Sequence, residues 1–309
     1  MFDNIVGLDI GSGFTKAWNN RTMAMFPSLY SYRQSNDWEQ NGRIEGVGEK
    51  ALEIGQHPDA VVIRPVIDGK IQHSAYIKLL QEALQRLHVP SFEKIVLVTG
   101  LPYDTSRKDR EDIRNLLRSE NEVGEIDVYP QAVGTLFHIN AQSGFVINVG
   151  HGTSELGAFE NLEPLTGMSD NMASDYVLRQ VGTEISRRFG FKPTTDTLIE
   201  LVASRVSEVH AFGKKTVRRD QIEPVLNDAL KHLAEKLAYD SKALLSQLPP
   251  GLKCSSNIIV SGGGSLMVGL PQMIEKELGC KVIQPSDPIY SNVLGFYKMG
   301  LRLHGSKNA

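Results

Sequence analysis

The stretch Asp9-Ile10-Gly11-Ser12-Gly13-Phe14-Thr15-Lys16-Ala17-Trp18 follows the apolar run Ile5-Val6-Gly7-Leu8 and reads as two strands joined by a glycine turn. The arrangement returns at Gly144-Phe145-Val146-Ile147-Asn148-Val149-Gly150-His151-Gly152-Thr153-Ser154-Glu155-Leu156-Gly157-Ala158-Phe159, with Asn148 lying 139 residues after Asp9. That distance is about one domain length, so the repeat implies two related halves, not a solenoid of short units. A third cluster follows: Asn257 to Ser261 reads as a strand, Gly262-Gly263-Gly264-Ser265 as a turn and Gly269 to Leu278 as a short helix.

The intervening chain alternates between strand and helix patterns. Ile95-Val96-Leu97-Val98-Thr99 is strand-like, while Tyr76 to Leu87 places Ile77, Leu80, Ala83, Leu84 and Leu87 at helical spacing. Further helices are expected at 106–118, 175–189, 197–206, 224–248 and 292–303, the longest with Pro224 in its first turn and Pro249-Pro250-Gly251 beyond its end. The chain is therefore mixed α/β.

Composition narrows the function classes. The 309 residues are 41% hydrophobic and 22% charged, enough for roughly two domains and incompatible with a disordered, collagenous or coiled-coil chain. A net charge of −3 gives no bulk attraction to nucleic acid or an anionic membrane. The basic cluster Lys214-Lys215-Thr216-Val217-Arg218-Arg219 reads either as a solvated hairpin tip or as a contact for an acidic neighbour, and no aromatic residue interleaves it for base stacking. No apolar run reaches the length of a membrane span, and Met1-Phe2-Asp3-Asn4 lacks the features of a signal peptide. Cys254 and Cys280 match no metal or redox spacing, so a cytoplasmic location is expected.

Glycine turns bring backbone N–H groups close to a phosphate because no Cβ intervenes. The chain contains no GxxxxGK[ST], full GxGxxG, HExxH or GxSxG motif, which disfavours a P-loop enzyme, a classical dinucleotide fold and a zincin. Three ordered glycine turns favour a nucleotide-phosphate site of another kind.

These residues resemble the actin superfamily over most of the chain. Asp9 to Ala17 is similar to its first phosphate loop, with Phe26-Pro27-Ser28 following it, and Pro65-Val66-Ile67-Asp68-Gly69 resembles its Pro-Ile-x-x-Gly segment. Gln131-Ala132-Val133-Gly134-Thr135-Leu136-Phe137 resembles the connecting helix with the catalytic glutamine. The turn after Asn148 resembles the second phosphate loop, Glu235-Lys236-Leu237-Ala238-Tyr239 the sugar-contacting helix, and Gly262-Gly263-Gly264 the adenosine motif. Length and the short segment between Phe26 and Pro65 look closer to actin-like proteins of the ParM/StbA plasmid-segregation kind than to eukaryotic actin, with MreB and the magnetosome filament protein as neighbours.

The resemblance implies an α/β actin-like two-lobed ATPase fold: duplicated ribonuclease H-like domains, each on a five-stranded mixed sheet, with a nucleotide cleft between them. The first lobe would comprise residues 1–143 and about 286–309, the second 144–285. It implies ATP or ADP with Mg²⁺ as ligands. Asp9 would orient Mg²⁺-bound water. Gly11, Ser12, Gly13, Phe14 and Thr15 would offer backbone to the β/γ-phosphates, with Lys16 adding a charge. Gln131 would position the attacking water. Gly150, His151, Gly152 and Thr153 would take phosphate from the other lobe. Glu235 would accept from ribose hydroxyls, and Gly262, Gly263, Gly264 and Ser265 would pass flat against the base.

One position departs from the family. Asn148 stands where actin-like ATPases carry an aspartate, so nucleotide binding is expected to survive and hydrolysis to slow unless Glu155 or His151 substitutes; alternatively Asn148 is a tolerated variant. The implied function is a head-to-tail, nucleotide-dependent filament, with plasmid DNA reached through an adaptor protein and not bound directly. A non-polymerising adaptor of the pilus-assembly type and a small-molecule kinase of the same superfamily remain as alternatives.

Overall fold

The computed structural model describes residues 4–35, 42–67, 70–89, 95–121, 123–210 and 216–305. Asp68, Gly69, Lys214 and Lys215, which the sequence reading singled out, lie outside the described residues, as do Met1, Phe2, Asp3 and residues 306–309. The chain divides into two compact units, Met1–Ala141 with Tyr290–Ala309, and Gln142–Ile289.

The first stretch runs β1 (Asn4–Ile10), β2 (Phe14–Trp18), β3 (Met23–Pro27), β4 (Tyr30–Gln34), β5 (Arg43–Val47), α1 (Glu49–Ile54), β6 (Val61–Ile63), β7 (Val66–Ile67), β8 (Lys70–Ile71), α2 (His73–Arg86), β9 (Ile95–Leu101), α3 (Arg107–Asn121), β10 (Glu125–Pro130) and α4 (Gln131–His138). The second runs β11 (Gly144–Val149), β12 (Ser154–Glu160), β13 (Glu163–Asp170), α5 (Ser174–Phe189), α6 (Thr195–Val202), β14 (Glu208–His210), β15 (Thr216–Arg218), α7 (Arg219–Leu245), β16 (Ile258–Ser261), α8 (Leu270–Leu278) and β17 (Val282–Ile283). Helix α9 (Ser291–His304) then returns to the first unit.

Each unit is built on a five-stranded mixed sheet of the same topology. In the first the order is β10-β9-β1-β2-β3, in the second β17-β16-β11-β12-β13. The opening strand of each pairs antiparallel with the next through the glycine turn, and parallel with a later strand on its other side. The Asp9↔Lys16 pairing of the first hairpin is matched by Asn148↔Glu155 in the second. A small sheet, β5-β4-β6, is an addition to the first unit.

Central strands buried on both faces read as continuous apolar runs, and β9 and β11 are buried at every residue. One face of the first sheet is covered by α2, whose Tyr76, Leu79, Leu80, Ala83 and Leu84 are buried in the core with Leu8 and Leu97. In the second unit Leu226, Leu230, Leu233 and Leu237 of α7 join Val177 and Val181 of α5 and Ile147 of β11. Helix α7 begins at Arg219, five residues before the expected start, so Pro224 lies inside it. The cause is local: the Gln221 side chain accepts the Arg218 N–H at 2.9 Å, capping the end where Asp220 meets the helix dipole. Helix α6 ends at Val202, and the expected extension to 206 is a turn with Ser204 at φ 58°.

Candidate functional site

In the first unit, three residues distant in sequence meet at the C-terminal end of β1. Asp9 is buried at 2% exposure. Lys16, opposite it on β2, donates from Nζ to Asp9 Oδ2 at 3.0 Å, and Gln131 Nε2 donates to Asp9 Oδ1 at 2.5 Å. Both carboxylate oxygens are thereby satisfied by one cation and one amide.

Gln131 reaches Asp9 because α4 is fixed against α9. A Cβ on Gly295 would lie 1.7 Å from the Gly134 carbonyl oxygen, so the two helix backbones touch at a point only glycine permits. Beside this contact, the buried Thr135 Oγ1 donates to Asn292 Oδ1 at 2.8 Å. The glutamine is the first residue of α4, which follows directly on β10.

The turn between β1 and β2 is tied down by its carbonyls. Gly11 N–H donates to Phe14 O at 3.2 Å, Ser28 N–H donates to Gly13 O at 2.8 Å, and Arg64 Nη1 donates to Ser12 O at 3.2 Å. Thr15 is fully buried, its hydroxyl 2.8 Å from that of Ser28. Its side chain therefore serves the loop's packing.

The second hairpin uses the same device with different partners. Gly150 N–H donates to Thr153 O at 3.0 Å, and the carbonyls of Gly150 and His151 accept from the N–H groups of Ser174 and Asp175 at 3.2 and 2.8 Å. The loop is thus seated on the start of α5. Asn148 and Glu155 are both buried, and Ser261 Oγ lies 3.5 Å from Asn148 Oδ1. The acid of this hairpin stands on the second strand, where the first hairpin has Lys16.

Beyond β16, Gly262 adopts φ 83°. A Cβ there would lie 2.4 Å from Val149 O, and one on Gly264 would lie 2.4 Å from Val149 Cγ1, so both glycines are required by packing on β11. Gly263 differs: a Cβ there would come no closer than 3.7 Å to the Ile289 side chain, which leaves room for a side chain the sequence does not use. Ser265 Oγ donates to Gly262 O at 2.7 Å, and Gln284 Nε2 donates to Ser265 O at 2.8 Å. Glu235 sits on α7 with Lys231 Nζ 3.6 Å away. The neighbouring Lys236 is engaged by Asp170 at 2.8 Å and by Asp240.

Burial alone would raise the Asp170 pKa, but the Lys236 hydrogen bond and charge and the Met172 N–H outweigh it and hold the carboxyl below its ordinary value. Among the described residues no group of three or more His, Cys, Asp or Glu could hold a metal ion. A cation that keeps several waters and takes one carboxylate together with phosphate oxygens fits Asp9 all the same.

Residues 7–134 match the family model described as actin like proteins N terminal domain. Over those residues the chain is similar to the actin-like proteins. It is 24% identical over 321 residues to the cell shape-determining protein Mbl of Bacillus cereus, covering 96% of this chain and 95% of that protein. It superposes on the MamK double helical filament structure with TM-score 0.80 at 18% identity, covering 96% of this chain and 98% of that one. MreB5 of Spiroplasma citri bound to AMPPNP gives TM-score 0.77 at 18% identity over 97% and 96% of the two chains. The mixed α/β actin-like fold that the resemblance implied is thereby established.

Of the residues singled out in the sequence, the structure brings Asp9, Lys16 and Gln131 together. Sequence reasoning missed Arg64, although the residue directly precedes the Pro65 segment it had singled out, and it missed Asn292, for which no local pattern existed.

Proposed function

We propose that this actin-like chain binds ATP with Mg²⁺ and assembles into cytoskeletal filaments whose lifetime is set by hydrolysis. The observation that carries the reading is the convergence of Lys16 and Gln131 on the buried Asp9 carboxylate beside a carbonyl-clamped glycine turn. Each hairpin carries backbone donors of the kind that hold phosphate: Ser12, Gly13 and Phe14 in the first, His151, Gly152 and Thr153 in the second. Asp9 would hold Mg²⁺ through its water shell, the metal neutralising phosphate charge. Lys16 then turns from Asp9 to phosphate, and Gln131 from Asp9 to the attacking water. Glu235 and Gly263 serve the nucleoside.

Similarity to MamK in its double helical filament supports self-association. The AMPPNP complex of MreB5 supports a nucleoside triphosphate as ligand. A cell-shape role is favoured over plasmid segregation because the curated relatives are named for cell shape. With Asn148 in place of an acid, hydrolysis is slow relative to assembly.

The test is light scattering and phosphate release followed together after adding Mg²⁺·ATP. Scattering that rises promptly, with phosphate appearing later, supports the reading. Phosphate release without any change in scattering would turn it toward a soluble enzyme, and neither signal toward a passive adaptor.

A further inference from the structure

We infer that Arg64 is a positioning residue of the first phosphate loop, holding the Ser12–Gly13 peptide so that the Gly13 N–H is presented to a nucleotide phosphate. The inference rests on the nucleotide-binding reading above and deepens it. In a trans peptide the C=O and N–H of one unit point in opposite directions. Whatever fixes the Ser12 carbonyl therefore fixes the direction of the Gly13 N–H. Arg64 Nη1 does so at 3.2 Å with a charged donor, which also polarises the peptide and strengthens its N–H toward an anion. The next unit is held alike, since Gly13 O accepts from Ser28 N–H at 2.8 Å and so directs the Phe14 N–H.

The second hairpin supplies an internal comparison. With Asp9↔Lys16 equivalent to Asn148↔Glu155, Ser12 corresponds to His151. The His151 carbonyl is held at 2.8 Å by the N–H of Asp175, at the start of α5. At Ser12 the same task falls to a guanidinium. A helix start offers fixed dipoles, whereas Arg64 offers a full charge on a side chain that can leave. Arg64 lies one residue beyond β6, and among the described residues it forms no ion pair with the carboxylates of the neighbouring small sheet, where Glu45 is held by Arg43 and Lys78. Its position ties the conformation of the loop to the β4–β5–β6 sheet.

The test uses the full chain and two readouts. Calorimetric titration with ATP, ADP and adenosine, each with Mg²⁺, compares wild type with Arg64→Ala and Arg64→Lys. Arg64→Ala is expected to weaken ATP and ADP about tenfold, the scale of one charge-assisted hydrogen bond, and to leave adenosine unchanged. Arg64→Lys, which keeps the charge but loses the planar fork, falls between. Amide hydrogen exchange without nucleotide is expected to quicken over residues 11–14 and at Ser28 in Arg64→Ala alone. Equal loss of adenosine affinity, or unchanged exchange and unchanged ATP affinity in Arg64→Ala, would overturn the inference. Wild type that binds none of the three ligands would defeat the nucleotide reading, while the exchange result would still decide whether Arg64 orders the loop.

Discussion

Glu155 stands directly opposite Asn148 across the hairpin of the second unit, and both side chains are buried. At the matching pair of the first unit stand Asp9 and Lys16. One hairpin therefore places its acid on the first strand and the other on the second. This exchange gives the second hairpin a carboxyl group despite the asparagine.

If Glu155 takes over the missing acid's role, Glu155→Gln slows phosphate release by about tenfold or more while nucleotide affinity is retained. Asn148→Asp creates two facing buried carboxylates, one of which must take up a proton, so this variant is destabilised at neutral pH and recovers in Asn148→Asp/Glu155→Gln. Chemical denaturation and single-turnover phosphate release check both. Unchanged release in Glu155→Gln would remove the carboxylate from the reaction.

On the reading that its amide orients the attacking water, Gln131→Ala is expected to lower hydrolysis by ~100-fold with ATP-dependent assembly intact, at a modest cost in stability from the hydrogen bond lost to the buried Asp9. Loss of assembly and hydrolysis in parallel would mean that Gln131 holds α4 in place.

Gly134→Ala forces a methyl to within 2.6 Å of the Asn292 carbonyl oxygen, and overpacking of this kind costs about 1–3 kcal/mol. The α4–α9 contact must open, moving Gln131 from Asp9. Denaturant midpoint and turnover should fall together, whereas Thr135→Ser, which keeps the hydroxyl bonded to Asn292, leaves both near wild type.

Lys16→Met leaves the Asp9 carboxylate with Gln131 alone. Removing one partner of a buried pair costs about 3 kcal/mol, and Asp9→Asn in the same chain should recover much of that loss without recovering nucleotide affinity. Thermal unfolding and ATP titration of the single and double variants measure the two effects separately.

Two carboxylates give the fold an acid limit. The Glu45 carboxyl is lowered by hydrogen bonds from Lys78 and from Tyr30, whose own hydroxyl is raised to about 12 by burial and by Glu45. Asp170 is lowered through Lys236, against the effect of burial. A depressed carboxylate stabilises the folded chain above its unfolded pKa, 4.5 for Glu45 and 3.8 for Asp170, and the contribution is lost as pH falls through the folded value. The denaturant midpoint should be level from pH 7 to 5 and drop below about pH 4, and Asp170→Asn should shallow that drop.

The fold was legible because it is carried by local signals. Asp9 to Ala17, Asn148 to Glu155 and Gly262 to Ser265 announce their turns by glycine, and the strands between them by unbroken apolar runs such as Ile95 to Thr99. The site was legible only where a residue lies in such a segment, as Asp9, Lys16 and Gln131 do. Arg64, Asn292 and the N–H groups of Ser174 and Asp175 act through tertiary contacts, the Thr135–Asn292 bond joining residues 157 apart in sequence, and no periodicity marks them. Pro224 misled because proline suits a helix start, while the Gln221 cap upstream carried the true one.

The central claim, a filament gated by nucleotide, is tested most directly by high-speed pelleting of the pure chain across a concentration series with Mg²⁺·ATP, with Mg²⁺·ADP and without nucleotide. Pelleting is expected above a threshold concentration with ATP, and at a higher threshold or not at all with ADP. A chain that stays in the supernatant at every concentration and with every nucleotide would contradict it.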